Sequence, residues 1–182
     1  MVEKLVDFSD EGATSSWRSI DDVVMGGRSH SALLPYAAGV ASFSGVVSLE
    51  QGGGFASVRT EPQRWRTAGA RSFVLRCRGD GKEYKFTARV DDGFDGVQYQ
   101  ARFAPPRGEW EEIELPITDF VASFRGRKVP DAGPLEPAKI RQLGLMVSDR
   151  QAGAFELLIE WVGVARPLTR PDGRPLPLAR ER

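Results

Sequence analysis

The sequence predicts an all-β protein, a sandwich or a barrel, and three observations carry that reading. Apolar and polar residues alternate with period two through the middle of the chain. Glycine- and aspartate-rich turns separate the alternating runs at near-regular spacing. Helical periodicity is thin, with single turns suggested only at residues 119–124 and 136–143. Many short strands and few helices leave sheet-on-sheet packing, or closure into a barrel, as the way to bury an apolar face.

Taken in order, residues 39–49 and 55–60 read as the first strands. In 72–78, Phe73, Leu75 and Cys77 share one face, and in 84–90 Tyr84, Phe86, Ala88 and Val90 alternate with Lys85, Thr87 and Arg89. In 97–103, Val97, Tyr99, Ala101 and Phe103 alternate with Gln98, Gln100 and Arg102. Further strands are expected at 110–115, 142–148 and 155–161. Asp80-Gly81 reads as a two-residue hairpin turn, because both positions tolerate positive φ. That turn would set 72–78 beside 84–90. Residues 166–182 hold four prolines and five arginines without periodicity, so a β domain at 1–165 and a flexible tail are expected.

A length of 182 residues supports one core, and a formal net charge of +0 leaves no global field to draw in nucleic acid. The single cysteine, Cys77, cannot form an internal disulfide. The first residues carry acids where a secretory signal needs a basic start, and no apolar run approaches the roughly 20 residues of a membrane span. The expectation is a soluble cytoplasmic protein without a membrane span.

Two candidate sites emerge. The first is a pair of glycine loops: Trp17, Asp21, Asp22, Met25, Gly26, Gly27 and Ser29, answered by Gly53, Gly54, Phe55 and Arg59. Glycine clusters beside large apolar residues imply a tight bend or a close approach. The loops either shape the backbone around core plugs or meet in a groove that binds a peptide or small polar ligand. The second site is a polar sheet face carrying Arg76, Arg89, Gln100 and Arg102, suited to gripping carboxylates or the carbonyls of a partner strand.

Catalysis finds little footing. His30 and Cys77 are the only nucleophile–base pair the chain could offer, and Cys77 falls on an apolar face, so no catalytic residue is assigned. No cofactor or metal ligand is assigned either. Asp21-Asp22 and the Asp91, Asp92, Asp95 cluster lack the spacing of a dedicated calcium loop, and a structural Ca²⁺ stays an alternative. Sugar binding needs exposed rings, and only Trp65 offers one, since Tyr84, Phe86, Tyr99 and Phe103 keep the phase of the core.

These motifs, in this order, resemble the family named for the complex I intermediate-associated protein of 30 kDa. The resemblance rests on residues 17–29, 43–49, 53–59, 80–84, 110–120, 124–126 and 153–159. Asp21 stands where the family usually has Asn, Val23 where it has Gly, and Ile117 where it has Phe. The resemblance implies a jelly-roll β-sandwich of the galactose-binding type. It also implies a non-enzymatic protein-binding role, chaperone-like, with respiratory complex I subunits or assembly intermediates as partners. A sugar or other small polar ligand is the alternative occupant.

Overall fold

The computed structural model of the chain describes residues 1–176. In the short turn at 22–25 it describes the backbone but not the side chains of Val24 and Met25. The described residues form thirteen strands: β1 (Val2–Asp7), β2 (Trp17–Ser19), β3 (His30–Ala37), β4 (Val40–Val47), β5 (Ala56–Thr60), β6 (Ser72–Arg78), β7 (Tyr84–Arg89), β8 (Gln98–Phe103), β9 (Trp110–Pro116), β10 (Val121–Phe124), β11 (Arg127–Lys128), β12 (Gln142–Val147) and β13 (Gly153–Ala165). They make two antiparallel sheets. One runs β3-β4-β13-β6-β9, with β1 beside the C-terminal half of β13, and the other runs β11-β10-β8-β7-β12-β5-β2. The architecture is the jelly-roll β-sandwich that the resemblance implies.

Alternation decides which side chains enter the core. Phe73, Leu75 and Cys77 of β6, with Leu157 and Ile159 of β13, face Tyr84, Phe86 and Ala88 of β7 and Leu143, Leu145 and Val147 of β12, all fully buried. Aromatic pairs bridge the two sheets, with Phe73 and Phe86 centroids 4.8 Å apart and Phe43 and Tyr84 at 6.2 Å. Truncating such a ring to alanine typically removes about 3–5 kcal/mol of stability.

Two local expectations need correcting, and a third, a helical turn within 136–143, is met. Asp80-Gly81 does not turn a hairpin, because β6 and β7 belong to different sheets. Its carboxylate instead accepts the Glu156 N–H at 2.8 Å and the Lys82 N–H at 3.0 Å, holding the chain where it crosses the sandwich. Residues 119–124 are not a helical turn. A 3₁₀ turn occupies Ile117–Asp119 and strand β10 follows, pairing with β8. A similar 3₁₀ turn spans Pro137–Lys139, and the rest of the 136–143 segment leads into β12.

β13 ends at Ala165. Beyond it, Arg166 is tied to Glu3 and to the carbonyls of Ala68 and Arg66, and Leu176 N–H returns to the Leu168 carbonyl at 2.7 Å. The expected tail continues to residue 182, and its residues 177–182 lie outside the described residues.

Candidate functional site: a carboxylate clip and an open sheet face

The two glycine loops meet, and Asp22 is where they meet. The chain leaves β2 in one sheet, makes a 3₁₀ turn at Asp22–Met25 and enters β3 in the other sheet. Asp22 is 1% exposed. Its Oδ1 accepts the Ser29 N–H at 2.8 Å, and its Oδ2 accepts the Ser29 hydroxyl at 2.6 Å, the Gly54 N–H at 2.7 Å and the Phe55 N–H at 3.3 Å. Burial opposes ionisation, but these donors outweigh it and hold the carboxyl below the usual aspartate value.

The glycines explain themselves at this carboxylate. A Cβ on Gly27 would lie 2.4 Å from Asp22 Cγ, and one on Gly53 would lie 2.5 Å from Asp22 Oδ2. Both positions are empty of side chain because the carboxylate fills that space.

Asp21 completes the clip. Its Oδ1 accepts the Ser31 hydroxyl at 2.6 Å and the Ser57 N–H at 3.0 Å, and its Oδ2 accepts the Ser31 N–H at 3.0 Å. Ser31 belongs to β3 and Ser57 to β5, so one carboxylate stitches the two sheets together. Here desolvation wins, and the Asp21 pKa is raised.

These contacts revise the groove expected from the sequence. The carboxylates of Asp21 and Asp22 and the hydroxyl of Ser29 are engaged inside the protein. Trp17 is 8% exposed and packs on Phe8 in the core, with its indole nitrogen buried and without a hydrogen-bond partner among the described residues. Val23 is 61% exposed in the turn and keeps an ordinary φ, so this position has no need of the family's usual glycine. The side chain of Met25 lies outside the described residues.

The second candidate divides between two surfaces. Because β6 and β7 sit in different sheets, Arg76 faces out from the opposite side of the molecule, paired with Glu160 at 3.4 Å and stacked on Trp110. The remaining residues do share a face, the outer side of the seven-stranded sheet. Directly paired residues of antiparallel strands point the same way. The register therefore lines up Arg59 of β5, Gly144 of β12, Thr87 of β7, Gln100 of β8 and Val121 of β10 in one row across the sheet. Lys85 and Arg102 form part of the adjacent row. Asp149 lies 3.4 Å from Lys85 and 2.5 Å from Arg102, and Glu83 lies 2.5 Å from Arg102.

Arg89 is buried, not presented. Its guanidinium donates to the Phe94 carbonyl at 2.8 Å and pairs with Asp91 at 3.0 Å, pinning the 91–96 loop over one end of the face. Gln142 holds the same loop through the Asp91 and Gly93 carbonyls at 2.8 and 3.0 Å. Asp91, Asp92 and Asp95 each face a different arginine: Arg89, Arg141 and Arg125. The loop presents Phe94, 62% exposed, with Arg59 against its ring. Sequence reasoning missed this ring because it sits in a turn, outside any alternating run. The ring it chose, Trp65, is half-buried and donates its indole N–H to the Arg141 carbonyl at 3.1 Å.

Cys77 and His30 are not a pair. Cys77 lies on the core face of β6, with burial pushing its thiol up to about 12, whereas His30 opens the edge strand β3.

The comparisons with known proteins bear on this geometry. Residues 6–159 match the family described as complex I intermediate-associated protein 30 (CIA30). The chain belongs to the CIA30 family. Among its relatives are two proteins named complex I intermediate-associated protein 30, mitochondrial. The one from Mus musculus is 36% identical over 97 residues, covering 51% of this chain and 30% of the mouse protein. The one from Neurospora crassa is 26% identical over 184 residues, covering 86% of this chain and 66% of the fungal protein. The match thus spans roughly one to two thirds of these relatives' lengths. Both names are mitochondrial and overturn the expected cytoplasmic location. That expectation rested on the lack of a secretory signal pattern, which says nothing of organelle import.

Among solved structures, the fold resembles the family 11 carbohydrate-binding module of a Clostridium thermocellum cellulase. The TM-score is 0.66 at 15% identity, over 93% of this chain and 98% of that one. An agarase, AgWH50C, matches with a TM-score of 0.59 at 13% identity, over 94% of this chain and 25% of the enzyme. At such identities the likeness is one of fold.

Proposed function

We propose that this CIA30-family domain is a non-catalytic protein-binding module that holds a partly assembled subunit of respiratory complex I. The observation that carries this reading is the extent of the family match, which spans the sandwich from β1 into β13 and includes both halves of the carboxylate clip. On this reading the clip is the frame and the outer face of the seven-stranded sheet is the working surface. That face offers guanidinium, amide and exposed apolar groups side by side, the mixture that recognises an extended polypeptide. The compartment that goes with it is the mitochondrial one for which the relatives are named. No helix among the described residues is long and apolar enough to cross a membrane.

The test is deletion in the native host followed by native-gel separation of respiratory complexes. Loss of mature complex I with accumulation of a smaller intermediate, together with cross-linking of the protein to that intermediate, is the expected result. Normal complex I levels after deletion would refute the reading.

One observation favours a second reading, a module for sugar or another small polar ligand. The Phe94 ring stands exposed beside polar groups of the sheet face, an arrangement that suits the apolar side of a sugar ring. Specific, saturable binding on a glycan array would support it.

A further inference from the structure

We propose that the outer face of the seven-stranded sheet binds an extended acidic peptide segment, with one peptide carboxylate seated on the Arg59 guanidinium. This rests on the protein-binding reading above and names the chemistry that the partner presents.

The charge balance around Arg59 supports it. Each of the other arginines withdrawn from solvent has a carboxylate within 4.0 Å: Arg76 has Glu160, Arg89 has Asp91, Arg141 has Asp92 and Arg166 has Glu3. Arg59, also half-buried, has none among the described residues. Its Nη1 donates at 2.8 Å to the Phe94 carbonyl, and Arg89 Nη1 donates to the same oxygen at 2.8 Å. Two guanidiniums therefore converge on one neutral acceptor. Burial and the charge of Arg89 pull the Arg59 pKa down to about 10 against the opposing pull of Asp91 and Asp95, which leaves it cationic at neutral pH with no negative charge in direct contact among the described residues. A carboxylate approaching from solvent supplies that charge with the planar geometry an arginine favours.

The shape of the face selects an elongated ligand. The row from Arg59 to Val121 crosses five neighbouring strands, roughly 19 Å at the usual strand spacing, about the reach of six extended residues. Phe94 beside Arg59, and Val121 (47% exposed) at the far end, give apolar side chains somewhere to rest between acidic ones. A neutral sugar could lie on Phe94, but it would leave Arg59 without a carboxylate in contact.

Fluorescence anisotropy with a labelled octapeptide of alternating Glu and Val tests this on the full chain. Saturable binding that weakens as salt rises is expected, with at least tenfold loss when the peptide's Glu residues become Gln. Arg59→Gln should weaken binding tenfold or more, and Arg59→Lys should restore part of it. Val121→Glu, a surface change that keeps Arg59 intact, should weaken binding several-fold by repulsion, so the conclusion does not hang on one variant. Absence of binding, equal binding of the Gln peptide, or wild-type affinity in Arg59→Gln would each overturn the proposal. So would binding of a neutral mixed-linkage glucan oligosaccharide in place of the peptide. The deletion phenotype is read separately. Impaired complex I with no peptide binding sinks this inference alone, whereas peptide binding with normal complex I sinks the assembly reading alone.

Discussion

Gly54 donates its backbone N–H to Asp22 Oδ2 at 2.7 Å, across 32 residues of chain and at the seam between the two sheets. The bond accounts for the oddest feature of the sequence, a Gly-Gly pair near tryptophan and an answering Gly-Gly-Gly. The glycines leave room for a buried carboxylate, and the carboxylate satisfies amides that the glycine loops would otherwise leave without partners.

Asp22→Ala should therefore lower stability by about 3 kcal/mol, because buried donors at Ser29 and Gly54 lose a charged acceptor. Urea denaturation should show a lower midpoint with an unchanged m-value. A shift below about 0.5 kcal/mol would mean that the clip is ornamental.

Glycine substitutions should sort by mechanism. Gly53→Ala drives a Cβ toward Asp22 Oδ2 and lies 2.8 Å from the Ser48 carbonyl, which should cost about 2 kcal/mol. Gly52→Ala meets no atom within 4 Å, but φ is +75, so strain alone should cost roughly 1 kcal/mol. Equal melting temperatures for the two variants would argue against the close-approach explanation.

The two neighbouring aspartates should respond to acid in opposite directions. Asp22 has a lowered pKa, so its ionised form stabilises the fold above the ordinary aspartate value of 3.8, and that contribution fades as pH falls below it. The penalty of Asp22→Asn should shrink below pH 3.8. Asp21 has a raised pKa, so folding favours its protonated form, a contribution present at low pH and lost as pH rises from 3.8 through the folded value. The penalty of Asp21→Asn should grow on acidification. Stability curves of both variants against pH check the pair.

Cys77 should resist a thiol reagent in the native protein, since its thiol is buried and its pKa is pushed up to about 12. Labelling should begin only when urea unfolds the chain. Rapid native labelling would contradict the burial of β6.

Much of this fold was legible in the sequence where one face is fully buried, because alternation then survives intact, as in β6 and β8. The β6-to-β7 connection was misread because Asp80-Gly81 suits a hairpin locally. Only tertiary pairing of the Asp80 carboxylate with Glu156 reveals a crossing between sheets. Strands β2 and β11 are three and two residues long, too short for a period to register. The candidate site was half legible. Asp22, Gly53 and Arg59 stood out by composition, but the buried roles of Trp17 and Arg89 depend on what folds over them, and Phe94 lies in a loop with no pattern to betray it.

If the clip makes the frame and the Arg59 face does the work, losing the Arg59 charge should impair assembly without unfolding the protein. The most direct measurement is the level of mature complex I, normalised to folded protein, in a deletion strain supplied with Arg59→Gln. A stable protein that leaves assembly at least several-fold below wild type is the predicted result, whereas full restoration by Arg59→Gln would contradict the claim.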